Sequence, residues 1–253
     1  MSVKLRGFAW HQLRWTCHAL FQVARETLNQ FARNDKRLGN QLGLVGVLHT
    51  HSRRLAFHPH VHIVVPGGGL TGPHWHARTG QYLFNGRALG RVFRAKFLDR
   101  MREQGLALPE SIPKHWVAQC EHVGRGDTAL TYLARYLYRG VLREQNIVRY
   151  DGEQVTFRYQ DSETRRWQTL TEPACRVLWR VLQHVLPKGL RRAREYGFLH
   201  SGARKTPRRL QLLLYVTLPS TGTVTQPRKQ RACPCCGVRT WRTFLQFRRA
   251  QGL

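Results

Sequence analysis

Apolar residues recur at spacings of three and four over residues 8–33, where Leu13, Cys17, Leu20, Phe21, Ala24, Leu28 and Phe31 share one face. That period predicts an amphipathic helix, broken by "NDKRLGNQ". "LGLVGVLHTH" (42–51) reads as a strand, and "SRRL" turns the chain into a second strand over about 56–65, closed by "PGGGLTGP". "RVFRAKFLDRMREQ" (91–104) returns to helical spacing, and "KHWVAQCEHV" (114–123) reads as a strand. Residues 124–144 predict a third long helix, with Asp127 or Thr128 as N-cap and Gly140 near its end. "IVRYDGEQVTFRY" (147–159) is a hairpin signal, with Asp-Gly between two β-rich runs, and "RRWQTL" offers one more strand. "TEPACRVLWRVLQHVL" (171–186) predicts a helix capped by Thr171, with Pro173 in its first turn.

Hairpins mixed with helices, rather than strands alternating with crossover helices, predict an α+β fold built on an antiparallel sheet. From Lys188 onward the chain turns strongly basic, then linker-like. This divides it into a catalytic domain over 1–200 and a basic C-terminal extension over 201–253.

Composition changes the picture at one point. The 253 residues carry 42 Lys and Arg against 14 Asp and Glu, a formal net charge of +28. Such a field draws polyanions, because each neutralised phosphate releases a condensed counterion. Hydrophobic residues still make up 42% of the chain, enough to build a core, so this is not a disordered basic tail. No apolar run approaches the roughly 20 residues of a membrane span, and the N-terminus carries no signal-peptide core. The six cysteines do not form a secreted disulfide pattern, so a reducing cytoplasm is expected.

Candidate chemistry concentrates in "AFHPHVHIVVPGGG", residues 56–69. Side chains alternate along a strand, so His60 and His62 point the same way across Val61, about 7 Å apart, and can converge on one divalent ion. His58 precedes them, and His49 and His51 lie within the same hairpin. Pro59 cannot donate to a ladder, which places His58 near the limit of regular pairing.

A second constellation lies in "TYLARYLYRG". Tyr132 and Tyr136 are four apart and share a helix face, and each is followed three residues later by an arginine, Arg135 and Arg139. A phenol is a poor nucleophile near neutral pH unless a cation or base favours its phenolate, which an arginine one turn away can do while also holding a phosphate. Leu133, Leu137 and Val141 lie on another side of the helix, leaving the tyrosines to face a groove. Metal-capable histidines, a tyrosine pair and a polyanion-attracting surface fit one reaction. An ion polarises a phosphodiester, a tyrosine attacks it, and the phosphotyrosine conserves the bond energy needed to rejoin strands.

"HPHVHIVV" followed by "YLARYLYRG" resembles the two-tyrosine branch of the HUH superfamily of single-strand nucleases. With "VLHTHSRRLAFHPHVHIVVPGGG", "YLFNGRALGRVFRAKFL", "HVGRGDTALTYLARYLYRGV" and "LQHVLPKGLRRAREYGFLH", the chain is similar to the rolling-circle transposases of insertion-sequence group ninety-one, over residue 8 to "CPCCG". The resemblance implies a palm-like antiparallel sheet with the histidines on a central strand and flanking helices. It also implies nicking of single-stranded DNA at element ends through a 5′-phosphotyrosine and strand transfer to a target. His60 and His62 match the metal pair, Tyr132 and Tyr136 the nucleophiles, with magnesium or manganese as the ion. The third ligand varies in the superfamily; His58, His51, Gln119 and Glu121 are candidates, with His58 and His51 foremost. Arg135 and Arg139 are expected to contact phosphate.

Family members usually open with a cysteine-rich zinc-binding segment, which this sequence lacks, so end recognition is expected to suffer. Near its end, Cys233, Cys235 and Cys236 supply half of a tetrahedral zinc site. The same active centre would also serve a plasmid or phage replication initiator or a relaxase. A truncated DNA-binding remnant without catalysis explains the charge alone.

Overall fold

In the computed structural model, the described residues are 5–78, 80, 83–108, 112–124, 126–138, 141–161, 164–203 and 205–214. The architecture is α+β with antiparallel sheets. Helices α1 (Arg6–His11) and α2 (Leu13–Asn34) lead into β1 (Gly43–His51) and β2 (Phe57–Val64). A small hairpin, β3 (Gly68–Thr71) and β4 (His74–Ala77), precedes α3 (Gly86–Glu103) and α4 (Gly126–Tyr138). Then come β5 (Ile147–Tyr150), β6 (Gln154–Gln160), β7 (Trp167–Pro173), α5 (Ala174–Leu182), β8 (Ala193–Gly197) and α6 (Lys205–Leu213).

The first sheet has the order β2-β1-β8, all antiparallel. Among the described residues β1 is therefore the central strand, and the histidine-rich β2 lies beside it at the edge. The sheet face bearing Leu44, Gly46, Leu48, Val61 and Ile63 packs on α2 and α3. Leu48 and Val61 there join Cys17, Leu20, Phe21 and Phe97. Gly46 makes this approach possible, since a Cβ on it would lie 2.9 Å from Phe21 Cε1. The opposite face carries Val47, His49, His60 and His62, and α4 packs on β1.

The second sheet, β5-β6-β7, buries Phe157 and Tyr159 against Val177 of α5 and Leu55 at the β1–β2 turn. Arg180 ties this unit to both neighbours, with one amino group 2.6 Å from Glu172 and the other 3.1 Å from the Arg54 carbonyl.

Several elements differ from the sequence-based expectation. The first helix is interrupted at Gln12. Residues 114–123 form no strand; Trp116 and Ala118 are instead held against α3, where Gly86 and Gly90 face their carbonyl groups. Thr171 caps no helix, because β7 continues through Pro173, paired with Gln154, and α5 begins after it. The basic run after Lys188 contains β8, a full partner of β1. Past residue 200, α6 adds Leu210 to a cluster with Leu70 and Phe198.

Candidate metal centre

The antiparallel register sets His49 directly opposite His60, and Val47 opposite His62. Paired positions share a face, so His49 joins the two histidines of β2 on the side covered by α4. The side chains of His49, His60 and His62 each place a ring nitrogen within 4.8 Å of the others', and all three are half-buried. The ring centroids of His49 lie 5.2 Å from His60 and 5.5 Å from His62, and those of His60 and His62 lie 4.9 Å apart.

A backbone carbonyl orients one of these rings. His60 Nδ1 lies 2.6 Å from the His58 carbonyl oxygen, so Nδ1–H donates and the lone pair falls on Nε2. Burial holds His49 and His60 well below the ordinary histidine range, to about 2 and about 3, and lowers His62 as well; neighbouring histidines add to the effect for His49 and His60. All three rings are thus neutral at physiological pH, the form that binds metal.

The other sequence candidates flank this cluster. The ladder register shifts between His49 and His51, so that His51 pairs with Phe57. The extra residue falls on the β2 side near Pro59, at a bulge where proline costs no ladder bond. His51 then lies between His49 and His184, with centroids 4.4 and 5.1 Å away. His58 borders His60 and lies 3.4 Å from Arg6 through Nδ1. Gln119 and Glu121 are exposed in the unpaired segment before α4. In the sequence His49 stands out only by its proximity to the histidines of β2. Counting register back from the turn at 52–56 would place it opposite Pro59, and only the bulge brings it opposite His60. His184 had no signal: it comes from α5's C-terminal end, is 2% exposed and donates through Nε2 to the Leu55 carbonyl.

Tyr132 reaches the cluster from α4, its hydroxyl 3.2 Å from His62 Nδ1. Leu133, one position on, is 4% exposed and anchors the helix. Tyr136 and Arg135 lie on the same helix, but their side chains, together with Arg139, Cys233 and Cys236, fall outside the described residues.

A histidine pair on one strand, a third histidine across the ladder and a tyrosine docked on them form a centre that can hold an ion beside a phenol. Residues 43–207, which contain all four, match the Y2_Tnp family model, described as "Putative transposase". The chain belongs to this transposase family. It is 29% identical over 255 residues to "Putative transposase y4qJ" of Sinorhizobium fredii (strain NBRC 101917 / NGR234), covering 86% of this chain and 64% of the relative. It is 31% identical over 209 residues to "Transposase for insertion sequence element IS801" of Pseudomonas savastanoi pv. phaseolicola, covering 74% of this chain and 49% of the relative. The chain thus spans about half to two thirds of these transposases' own length. No solved structure matches it. Among the described residues, no helix is long and apolar enough to cross a membrane.

Proposed function

We propose that this chain is a metal-dependent transposase that nicks single-stranded DNA through a 5′-phosphotyrosine and transfers the strand to a target in rolling-circle fashion. The observation that carries the reading is the Tyr132 hydroxyl 3.2 Å from His62 Nδ1, at the rim of the three-histidine cluster.

His49, His60 and His62 would hold the ion. Their neutral rings and the Nε2 lone pair fixed on His60 fit a divalent metal, and imidazole donors suit manganese better than magnesium. Bound there, the ion would polarise the scissile phosphate as a Lewis acid.

The chain's own residues account for the remaining steps. With Nε2 kept for the ion, His62 meets the Tyr132 oxygen with Nδ1–H, a donor that stabilises the forming phenolate, and the phenol proton passes to water. The Tyr132 oxygen bonds to phosphorus, the bond from phosphorus to the 3′-oxygen breaks, and that oxygen leaves as a 3′-hydroxyl after taking a proton. Attack by another 3′-hydroxyl reverses the sequence and releases the tyrosine, so no external energy is needed. Tyr136, one turn on, serves as the second nucleophile, with Arg135 and Arg139 on phosphate. Element ends and target, both as single-stranded DNA, are the partners. A reducing cytoplasm is the setting. Zinc at Cys233 and Cys236 and a basic extension after residue 200 belong to the same reading.

The test is a denaturing gel of the protein with a pool of labelled single-stranded oligonucleotides and manganese, alongside Tyr132→Phe, Tyr136→Phe, the double variant and His60→Ala. A protease-sensitive covalent band lost in the double variant and in His60→Ala is the expected result. Binding without an adduct on any oligonucleotide or metal overturns the reading.

A further inference from the structure

The antiparallel register of β5-β6-β7 sorts its side chains onto two faces. One face is the packed side already described, with Phe157, Tyr159 and Leu170. The other bears Arg149 opposite Thr156, Thr156 opposite Thr171, Arg158 opposite Thr169, and Gln160 opposite Trp167. Trp167 stands 59% exposed on the edge strand β7. The Arg158 guanidinium lies over its ring, 5.2 Å from the centroid. Arg53 reaches the same edge, its guanidinium 3.2 Å from Gln160 Oε1.

Charge on this face has one sign. Register gives it Arg149 and Arg158 and no acidic position: Glu172 lies on the packed side, opposite Val155. Asp151 sits in the β5–β6 turn, where its carboxylate accepts the backbone N–H groups of Glu153 and Gln154 at 3.1 and 2.7 Å. Thr156 and Thr171 are bonded to each other at 2.8 Å, which keeps the middle of the face flat and polar.

A flat polar sheet with arginines, hydroxyls and one exposed indole has the donors for phosphates and a π-surface for a base. Duplex DNA offers the phosphates but stacks its bases internally, so the indole would have no partner there. A single strand offers both, and stacking of bases on aromatic side chains beside a cationic track is how sequence-tolerant single-strand surfaces work. We infer that the exposed face of β5-β6-β7 is a docking surface for single-stranded DNA, with a base stacked on Trp167 and the backbone tracked by Arg158 and Arg149. The surface extends the proposed nicking function, since it would hold the strand on an element apart from the histidine cluster, but it does not depend on cleavage.

The experiment is fluorescence anisotropy of the full-length protein, in chelator so that no cleavage intervenes, with labelled oligothymidylate and a duplex of equal length. Trp167→Ala is expected to weaken oligothymidylate binding by about tenfold, within the range for loss of one stacked base. It should leave duplex binding and the melting temperature unchanged, and Trp167→Phe should restore most of the affinity. Arg149→Gln with Arg158→Gln should lower the slope of log affinity against log salt by about 0.7 per lost phosphate contact. Unchanged oligothymidylate affinity in Trp167→Ala overturns the inference, as does an equal loss for single strand and duplex. So does polyglutamate competing as well as oligothymidylate for Trp167-dependent binding. Binding that depends on Trp167 without any covalent adduct in the gel would sink the nicking reading and leave this surface standing. An adduct formed normally by Trp167→Ala, with unaltered binding, would do the reverse.

Discussion

The rings of His49, His60 and His62 bring no negative charge to an ion, in a chain whose net charge is +28. Affinity in such a centre must come from orientation and desolvation of neutral donors rather than from attraction between charges. The hydrogen bond from His60 to the His58 carbonyl contributes orientation, and it uses the backbone of His58, not its ring. The residues near the cluster therefore separate into two groups by what their side chains do. His49→Ala removes a donor and should weaken manganese binding at least about tenfold, as should His60→Ala. His58→Ala keeps the carbonyl and should change it by less than about threefold. Isothermal titration of the metal-free protein with manganese makes the comparison. Equal losses for His49→Ala and His58→Ala would mean that the His58 ring shares in ligation and that the separation between the two groups fails.

At the scale of elements, legibility depended on what satisfies each face. The helices α2, α3 and α4 and the strands β1 and β2 were readable because apolar side chains cover their buried sides at regular spacing. The strand β8 was not, because cations over rings cover it. Arg194 lies 4.5 Å from the Phe21 centroid, and Arg25 lies 5.4 Å from that of Tyr196. Its charge pattern looks like a solvated tail. Residues 114–123 misled in the opposite way, with half-buried Trp116 and Ala118 at a strand-like period but no ladder partner. The histidine pair was legible from alternation alone, whereas its third member required the register between two strands. The end of β8 gives a prediction at this scale. Gly197 has φ +62 and pairs with Gly43, and a Cβ on it would lie 1.6 Å from the Leu42 carbonyl oxygen. Gly197→Ala adds a left-handed strain to a backbone clash and should cost at least about 2 kcal/mol, read as a drop in the urea midpoint. Gly46→Ala presses only on the Phe21 ring and should cost about 1–3 kcal/mol. A Gly197→Ala midpoint equal to the parent's would mean that β8 does not close the sheet in this register.

For the molecule as a whole, the histidines couple the site to stability. Burial, as the largest cause in each case, lowers His49 to about 2, His60 to about 3, and His51 and His58 to about 4, and it lowers His62 and His184 as well. Their unfolded counterparts titrate near 6.5. Between about pH 6.5 and the folded values the unfolded chain therefore binds more protons than the folded one. These residues contribute their full stability above pH 6.5, and the contribution is lost as pH falls from there through about 4 for His51 and His58 and on toward about 3 and about 2 for His60 and His49. Each extra proton taken up by the unfolded chain costs about 1.4 kcal/mol per pH unit, and 1 kcal/mol moves the melting temperature of a chain this size by about 2–4 °C. The metal-free protein should therefore melt about 5 °C lower, or more, at pH 5.5 than at pH 7. Manganese should raise the melting temperature at both pH values, because the folded His49 and His60 rings, lowered to about 2 and about 3, stay neutral throughout this range, so the difference between pH 7 and pH 5.5 should persist. Melting curves in chelator and in manganese across this range provide the check. A metal-free melting temperature independent of pH from 7 to 5.5 would mean that the histidine cluster is open to water, and with that the rigid, neutral donor set on which the metal assignment rests would go.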